Sequence, residues 1–441
     1  MGVLNVTPDS FSDGGKYLCP EKSVAFARQL KAQGASIIDV GGQSSRPGAD
    51  PITAEEELAR ILPVIERLAS ELPEVRMSVD TYYPQVAAAA CAAGAHIIND
   101  ISGFRDPDMV EVARSAGADC VLMHMAGEPR TMQDDPFYVD VVQEVGDYLL
   151  AGAERLVKAG ITADQIILDP GFGFGKTRDH NLELFLHMGA LADRIHEAGH
   201  KLLVGISRKS FIGSLFGIED PEQRDRASAE LAAALTTSST GGCVDILRVH
   251  NPEITCKTLQ AFAEDTPAVE AYIALGSNLG GPMGNLATAL HSLDKLSHTQ
   301  VREIAAPVLS EPAYDSDQQA FTNTVCRITT QLDPLALFAY MQAIEVDMGR
   351  EKTHKNGPRI IDLDLLSYGD CTLDLPALIV PHPRIEERAF VLEPLQEIAP
   401  DFRLPGGVRL KAKEYVHGKL ISRLPFVAIE SELTRRRERE R

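Results

Sequence analysis

Eight short apolar runs in the first 260 or so residues each end in side chains able to do chemistry: Asn5, Asp39, Asp80, Asn99 with Asp100, His124, Asp169, Ser207 with Arg208 and Lys209, and Arg248 with His250. A single Asp after an apolar run is most often a helix cap or turn residue. Polar endings on all eight runs are hard to explain as caps. Asp80 and Asp169 can accept paired N–H donors while Asn99 and Lys209 complete the pattern, which suits a flat pterin-like or purine-like heterocycle with a guanidine-like edge. Ser45 and Arg46 sit in the glycine-rich stretch Gly41–Gly48 (GGQSSRPG), where hydroxyl, guanidinium and free backbone N–H groups suit a phosphate oxyanion. Arg248 and His250, two residues apart on one predicted strand, share a face and add positive charge, so the set reads as a diphosphate site. Asn5–Gly15 (NVTPDSFSDGG) is rich in turn formers and is expected to form a loop over that face. Asp169–Thr177 (DPGFGFGKT) looks like a phosphate-binding P-loop, but Pro170 stands where that motif needs glycine, and the P-loop reading is set aside.

A second constellation lies near the other end. Asp362 and Asp364 are two apart on a predicted strand, so both carboxylates face one way, as Mg2+ bound to ATP phosphates requires. The pattern alone is weak. It gains weight from Arg350, Lys352 and Arg359 in the glycine-containing stretch before it, cations able to reach a triphosphate.

The elements that must position these groups follow from periodicity. The predicted strands are Gly2–Val6, Ser36–Val40, Arg76–Val79, His96–Ile98, Cys120–Met123, Gln165–Leu168, Lys201–Ile206 and Val244–Val249. Helical segments such as Glu21–Gln33, Ala54–Ser70 and Ala227–Thr237 alternate with them, and Gly34, Gly94, Gly117 and Gly160 stand near helix ends. Strand and helix alternating eight times predict a TIM (β/α)8 barrel, whose active site lies at the C-terminal strand ends. A polar, proline-containing linker breaks the pattern after Phe262. Beyond it, strand Ala271–Leu275, helix Asn285–Leu296, strands Val301–Leu309 and Asn323–Gln331, helix Pro334–Met348 and strand Ile361–Leu366 give the order βαββαβ, an α+β ferredoxin-like domain. The expected organisation is barrel 1–262, linker 263–270, second domain 271–430 and a charged, solvated tail 431–441.

Bulk properties restrict the partners. A chain of 441 residues exceeds one ordinary core, and 44% hydrophobic with 24% charged residues describes a globular protein without a membrane-spanning run. A formal charge of −20 argues against nucleic-acid binding and makes local Arg and Lys clusters matter. The cysteines are odd in number and lack a C-x-x-C pair, which fits reduced thiols in a cytoplasm. The amino terminus lacks the basic flank of an export signal and the Ser or Thr of a myristoylation signal.

NVTPDSFSDGG, IIDVGGQSSRPGA, SVDT, IINDISG, LMHMAGEPRTMQ, DPGFGFGKT, GISRKSFIG and RVHN, in this order, resemble dihydropteroate synthase over nearly all of residues 1–262. That family condenses 6-hydroxymethyl-7,8-dihydropterin diphosphate with 4-aminobenzoate and releases pyrophosphate. The resemblance implies that Asp80, Asn99, Met123, Asp169 and Lys209 hold the pterin. It implies that Asn5, Ser45, Arg46, Arg248 and His250 hold the diphosphate with Mg2+, and that Phe11, Pro47, Phe174 and Ser210 lie near the aminobenzoate. Neutralising the departing charge lets cation character develop at the carbon beside the ring, and the neutral aniline then needs positioning rather than a strong base. Gln43 and Ser45 stand where many relatives have Glu and Thr; the retained hydroxyl predicts retained activity. The first strand starts almost at Met1, whereas relatives carry a preceding segment that helps close the bottom of the barrel, so a start further upstream or a less well plugged barrel is expected.

AYIALGSNLG, AIEVDMGREK, NGPRIIDLDLL, VPHPRIEERAFVLEPL and EIAP resemble 6-hydroxymethyl-7,8-dihydropterin pyrophosphokinase across roughly 271–405. That family moves the β,γ-diphosphate of ATP to the pterin hydroxymethyl group. The resemblance implies Mg2+ at Asp362 and Asp364, phosphates at Arg350 and Arg359, and the nucleotide at Glu345, His382 and Arg388, with Lys352 in the ATP-binding loop. Phe321, Asn323 and Phe390 would take the pterin. Lys352 replaces an Arg, Asn356 a Trp and Tyr314 a Gly of relatives; losing the bidentate fork at 352 predicts weaker transition-state stabilisation. The whole reads as a bifunctional folate-pathway enzyme, cytoplasmic and a homodimer through the barrel by analogy. Two alternatives are weaker. The diphosphate set speaks against a methyl-transferring barrel, and Asp362, Asp364, Arg359 and Lys209 speak against a domain retained only as a scaffold.

Overall fold

The computed structural model describes residues 1–7, 20–43, 50–236, 243–263, 267–313, 317–351, 357–410, 417–426 and 429. The chain divides into two compact units, one of Met1–Ser214 with Ile218–Ala263 and the second taking Glu264–Arg441. Among the described residues no helix is long and apolar enough to cross a membrane.

In the first unit, β1 (Gly2–Asn5), β2 (Ile37–Gly41), β3 (Arg76–Asp80), β4 (Ile97–Asp100), β5 (Asp119–Met123), β6 (Ile166–Asp169), β7 (Lys201–Val204) and β8 (Ile246–Leu247) lie side by side in chain order. Neighbouring strands are parallel. Gly2 bridges Val249, and Val249 N donates to Met1 O at 2.9 Å, which closes the sheet into a barrel. Strands buried on both faces must be largely apolar, as Ile37–Ile38 of β2 and Ile97–Ile98 of β4 are before their buried polar residues Asp39, Asn99 and Asp100. Helices α1 (Pro20–Ala32), α2 (Ala54–Glu71), α3 (Pro84–Ala92), α4 (Pro107–Ala116) and α5 (Val141–Lys158) follow successive strands, α6 (Arg178–Leu186) and α7 (Met188–Glu197) follow β6, α8 (Ser210–Phe216) and α9 (Asp225–Leu235) follow β7, and α10 (Pro252–Ala263) ends the unit. Local chemistry sets their limits: Asp106 caps α4 by accepting from Asp108 N, and Gly117 ends it in the left-handed conformation.

Met1, Ile37, Ile97, Val121, Ile167 and Leu203 form an apolar cluster with Ile246 against it. Side chains of the barrel thus fill the interior near the strands' N-terminal ends, where a less well plugged barrel was expected. The eighth strand is shorter than Val244–Val249 because it must change partners. Arg248 N still donates to Val204 O of β7, whereas Val249 N turns to Met1 O.

The second unit contains β9 (Val269–Ser277), α11 (Pro282–Asp294), β10 (Thr299–Ile304), β11 (Val308–Ser310), β12 (Phe321–Thr330), α12 (Pro334–Asp347), β13 (Asp362–Tyr368) and α13 (Ala389–Ile398). The sheet order is β13-β9-β12-β11, continued by Leu420–Arg423, with β10 also on β12. This is the βαββαβ ferredoxin-like arrangement. The single strand expected at Val301–Leu309 is two, because Pro307 has no N–H for a ladder; its carbonyl instead accepts from Leu424 N at 2.8 Å.

Candidate active sites

The mouth of the barrel holds a cleft lined by Asp80, Asn99, Met123, Asp169, Phe174 and Lys209, with Arg248 beside them. These are residues named above from sequence, delivered by the ends of β3, β4, β5 and β6 and by the segments after β6, β7 and β8. The period of two in a strand decides which polar end faces in. Asn99 enters the cleft, while its neighbour Asp100 accepts from Ser102 N at 2.7 Å and Phe104 N at 2.8 Å, serving as a turn clamp. Arg208 likewise turns away, bidentate to Asp225 at 2.7 and 2.9 Å, while Lys209 turns in.

Charge in the cleft is strongly paired. Arg248 Nε donates to Asp39 Oδ2 and its NH2 to Asp80 Oδ2, both at 2.7 Å. Asn99 Nδ2 also donates to Asp39 Oδ2 at 3.2 Å. Burial pushes the Asp80 carboxyl up, and the Arg248 guanidinium opposes it. Burial also raises Asp169, against the hydrogen bond it accepts from Gly171 N at 2.8 Å. Lys209 Nζ stands 4.0 Å from the Phe174 ring centroid, and burial with the Arg248 charge lowers its pKa to about 8.

His250 behaves differently from its sequence reading. It hydrogen-bonds Ser207 Oγ through Nδ1 at 3.1 Å, and burial and the neighbouring cations push its pKa down to about 3. Burial thus works against the positive charge that the strand spacing leads one to expect there. Ser210 begins α8, and Asn5 ends β1 beside Gly41. Phe11, Ser45, Arg46 and Pro47 lie outside the described residues. Gln43, in place of Glu, donates to Tyr82 OH at 2.8 Å. Asp39 is one of the barrel residues that the sequence reading named at a strand end but assigned no role. Its signal was its place at a strand end; its task, holding Arg248 from 209 positions away, is invisible in one dimension.

In the second unit a cleft is lined by Phe321, Asn323, Arg359, Asp362, Asp364 and Phe390, with Arg388. Asp362 and Asp364 pair with Gly276 and Ala274 of β9 and share one face of β13. Asp362 binds Arg350 at 3.0 Å and Arg359 at 2.8 Å, and Asp364 binds Arg388 at 2.7 Å with His382 Nε2 at 3.9 Å. Burial works against the Asp364 charge, yet His382 and Arg388 hold its carboxyl below the usual range. Asn323 Nδ2 donates to Ser310 Oγ at 2.9 Å, and the rings of Phe321 and Phe390 lie 6.0 and 5.8 Å from the Arg359 and Arg388 guanidiniums. Asn278, missed in the sequence, fixes Arg359 by accepting from its backbone N at 2.8 Å.

Glu345 is 2% exposed, accepts from Leu363 N at 2.7 Å and Gln342 Nε2 at 2.9 Å, and pairs with Arg350. It holds Arg350 from a buried position and is not among the residues that line this cleft. Lys352, Asn356 and Tyr314 lie outside the described residues. Gly276 has a steric reason: a Cβ there would stand 2.7 Å from Asn323 Oδ1. Gly276→Ala is therefore expected to displace Asn323 and weaken pterin binding about tenfold, the value of one hydrogen bond, as read by the KM of the second unit for the hydroxymethylpterin.

Two carboxylates on one open strand face fit a small hard cation that keeps several waters and takes phosphate oxygens, as Mg2+ does. Asn5 offers one neutral amide oxygen, too little without ligands from the substrate. Among the described residues no cluster of three or more His, Cys, Asp or Glu forms a protein-only metal site.

Residues 1–250 match the family described as pterin binding enzyme, and residues 272–400 the family described as 7,8-dihydro-6-hydroxymethylpterin-pyrophosphokinase. Dihydropteroate synthase of Escherichia coli is 43% identical over 270 residues, 61% of this chain and 92% of that protein. The mitochondrial folate synthesis bifunctional protein of Arabidopsis thaliana is 42% identical over 57% of this chain and 46% of its own. The structure of Xanthomonas albilineans dihydropteroate synthase with 4-aminobenzoic acid is similar at TM-score 0.53 and 42% identity, covering 60% of this chain and 91% of that one.

Proposed function

Because the chain belongs to the pterin binding enzymes through its first unit and carries a pyrophosphokinase of the hydroxymethylpterin family in its second, we infer that it performs two successive steps of folate biosynthesis. The second unit transfers diphosphate from ATP to 6-hydroxymethyl-7,8-dihydropterin. The barrel then condenses that product with 4-aminobenzoate to 7,8-dihydropteroate and releases pyrophosphate. The observation that carries the reading is the meeting of Asp80, Asn99, Asp169 and Lys209 in one cleft and of Asn323, Arg359, Asp362 and Asp364 in another.

In the barrel, Asp169 and Asn99 take the amino and ring N–H edge of the pterin, Lys209 donates to a ring acceptor, and Met123 and Phe174 cover the apolar faces. The C–O bond to the diphosphate breaks as the aniline nitrogen bonds to the same carbon, and the nitrogen then sheds its proton. Arg248 faces the departing charge, Arg46 and Ser45 are assigned to the same diphosphate from their place in the sequence after β2, and neutral His250 supplies a hydrogen bond. Ser210, Phe11 and Pro47 belong with the aminobenzoate. In the second unit Phe321, Asn323 and Phe390 seat the pterin, and Arg350, Arg359 and Lys352 face the transferring phosphates. His382 and Arg388 orient Asp364 and the nucleotide. Mg2+ held by Asp362 and Asp364, and by Asn5 with the diphosphate, would supply charge neutralisation. A homodimer through the barrel and a cytoplasmic location complete the proposal, by analogy with such barrels and from an odd number of cysteines without a C-x-x-C pair.

Incubating the protein with hydroxymethyl-dihydropterin, ATP, Mg2+ and 4-aminobenzoate should yield AMP and dihydropteroate; absence of both sinks the reading. The Lys209 ammonium, with its pKa near 8, is charged below that pH and loses its proton above it. The barrel's KM for pterin diphosphate should accordingly rise as pH passes through about 8, and a flat profile to pH 9 would remove Lys209 from pterin binding.

A further inference from the structure

DPGFGFGKT is the stretch whose lysine the P-loop comparison left without a task. The structure turns that lysine inward. Lys176 is 3% exposed, and its Nζ lies 3.0 Å from Gly171 O, 3.1 Å from Phe174 O and 2.9 Å from His124 Nδ1. These three acceptors are neutral and match the three hydrogens of an ammonium. His124 must be the tautomer that leaves Nδ1 bare, and burial with the Lys176 charge pushes its pKa down to about 2, so it stays an acceptor; burial also lowers Lys176 itself to about 7, so the full set of three donors is present below that pH.

The turn so fastened forms a wall of the barrel cleft. Gly171, Phe172 and Phe174 line it beside Asp169. The chain reaches this position by close approach to the end of β5. Gly171, at φ +66°, would put a Cβ 2.0 Å from His124 O, and Gly175, at φ +61°, would put one 2.6 Å from Ala126 O. Phe174 N donates to Gly171 O at 3.1 Å, which tightens the turn, and Gly173 N donates to Asn181 Oδ1 at 2.8 Å. Without the ammonium, two of its carbonyls and the His124 lone pair would converge in a dry interior with nothing between them.

We propose that Lys176 is a positioning residue of the barrel site: its ammonium bolts the Gly171–Phe174 turn to His124, and so sets the Phe174 ring against Lys209 and the wall against the pterin. It acts through the turn and does not touch substrate. The inference rests on the reading of the barrel as the site of condensation.

The test uses the full chain with preformed pterin diphosphate and 4-aminobenzoate. For Lys176→Met the KM for pterin diphosphate should rise about tenfold, with kcat changed by less than about threefold and AMP formation by the second unit unaltered. His124→Leu, which removes one acceptor of three, should raise the same KM by roughly threefold. A lowered melting temperature with unchanged KM in either variant would assign Lys176 a structural role only and overturn the proposal, as would an equal loss in both substrates. If Lys176→Met does not fold, His124→Leu decides by the same criterion. Wild-type chain that makes no dihydropteroate would overturn the reading of the barrel and this inference with it; wild-type turnover with unchanged variants overturns the inference alone.

Discussion

Asp364→Ala should abolish AMP formation while leaving condensation from preformed pterin diphosphate within about twofold of the unaltered chain. The expected loss is about 10²–10³-fold or more in kcat, the usual effect of removing one preorganised electrostatic group. Two consequences add. One of the two carboxylates facing the cleft from β13 disappears, so a cation brought by ATP loses half its protein ligands. Arg388, now bonded to Asp364 at 2.7 Å, also loses that hydrogen bond. Assaying AMP release and dihydropteroate formation on the same preparation separates the sites. Loss of both activities in a folded variant would show that the two are not independent.

Arg248→Ala should be the most damaging single change in the barrel, destabilising it by roughly 3–5 kcal/mol, the cost of leaving buried charge unpaired. Asp39 is fully buried and Asp80 nearly so, with Arg248 bonded to both at 2.7 Å. Once the guanidinium is gone, Asp39 and Asp80 lose their ion-pair partner, and Lys209 is the cation left among the described residues that line the cleft with Asp80 and Asp169. The pH dependence has a definite sign. Burial already raises the Asp80 carboxyl, and loss of Arg248 raises it further, so the folded variant prefers the protonated acid. Its stability deficit should grow as pH rises through about 7, where Asp80 of the unaltered chain gives up its proton and that of the variant does not, and shrink on acidification, read by urea midpoints for the two chains at each pH. A deficit independent of pH would show that packing, not charge, accounts for it. Condensation should fall with stability, because Arg248 also faces the leaving diphosphate.

The sequence carried the architecture because local periodicity carries it. Apolar runs buried on both faces, separated by helices capped by residues such as Asp106 and Gly117, report a parallel barrel without tertiary information. Likewise Asp362 and Asp364 share a face by strand geometry alone, and Asp80, Asn99, Asp169 and Lys209 stood at predicted strand ends. Less was legible where the chain changes partners. Pro307 divides one expected strand in two, and β8 shortens because its backbone must serve both β7 and Met1.

Tertiary structure alone decided which polar ends are site and which are scaffold. Asn99 and Asp100 are neighbours, yet one faces the cleft and the other clamps a turn, since adjacent strand residues point to opposite faces. Arg248 reads as a phosphate ligand in one dimension; in three its guanidinium, still at the cleft, is also held by Asp39 and Asp80, because closing the barrel brings residues 209 and 168 positions apart into contact. Lys176 and Glu345 make the same point. Their residue types suggest ligand contacts, but burial converts them into supports for Phe174 and Arg350, since a charge removed from water must be satisfied by the protein around it. Spacing along the chain therefore determined the folds and the chemistry on offer, and desolvation within them determined which groups remain free to use it.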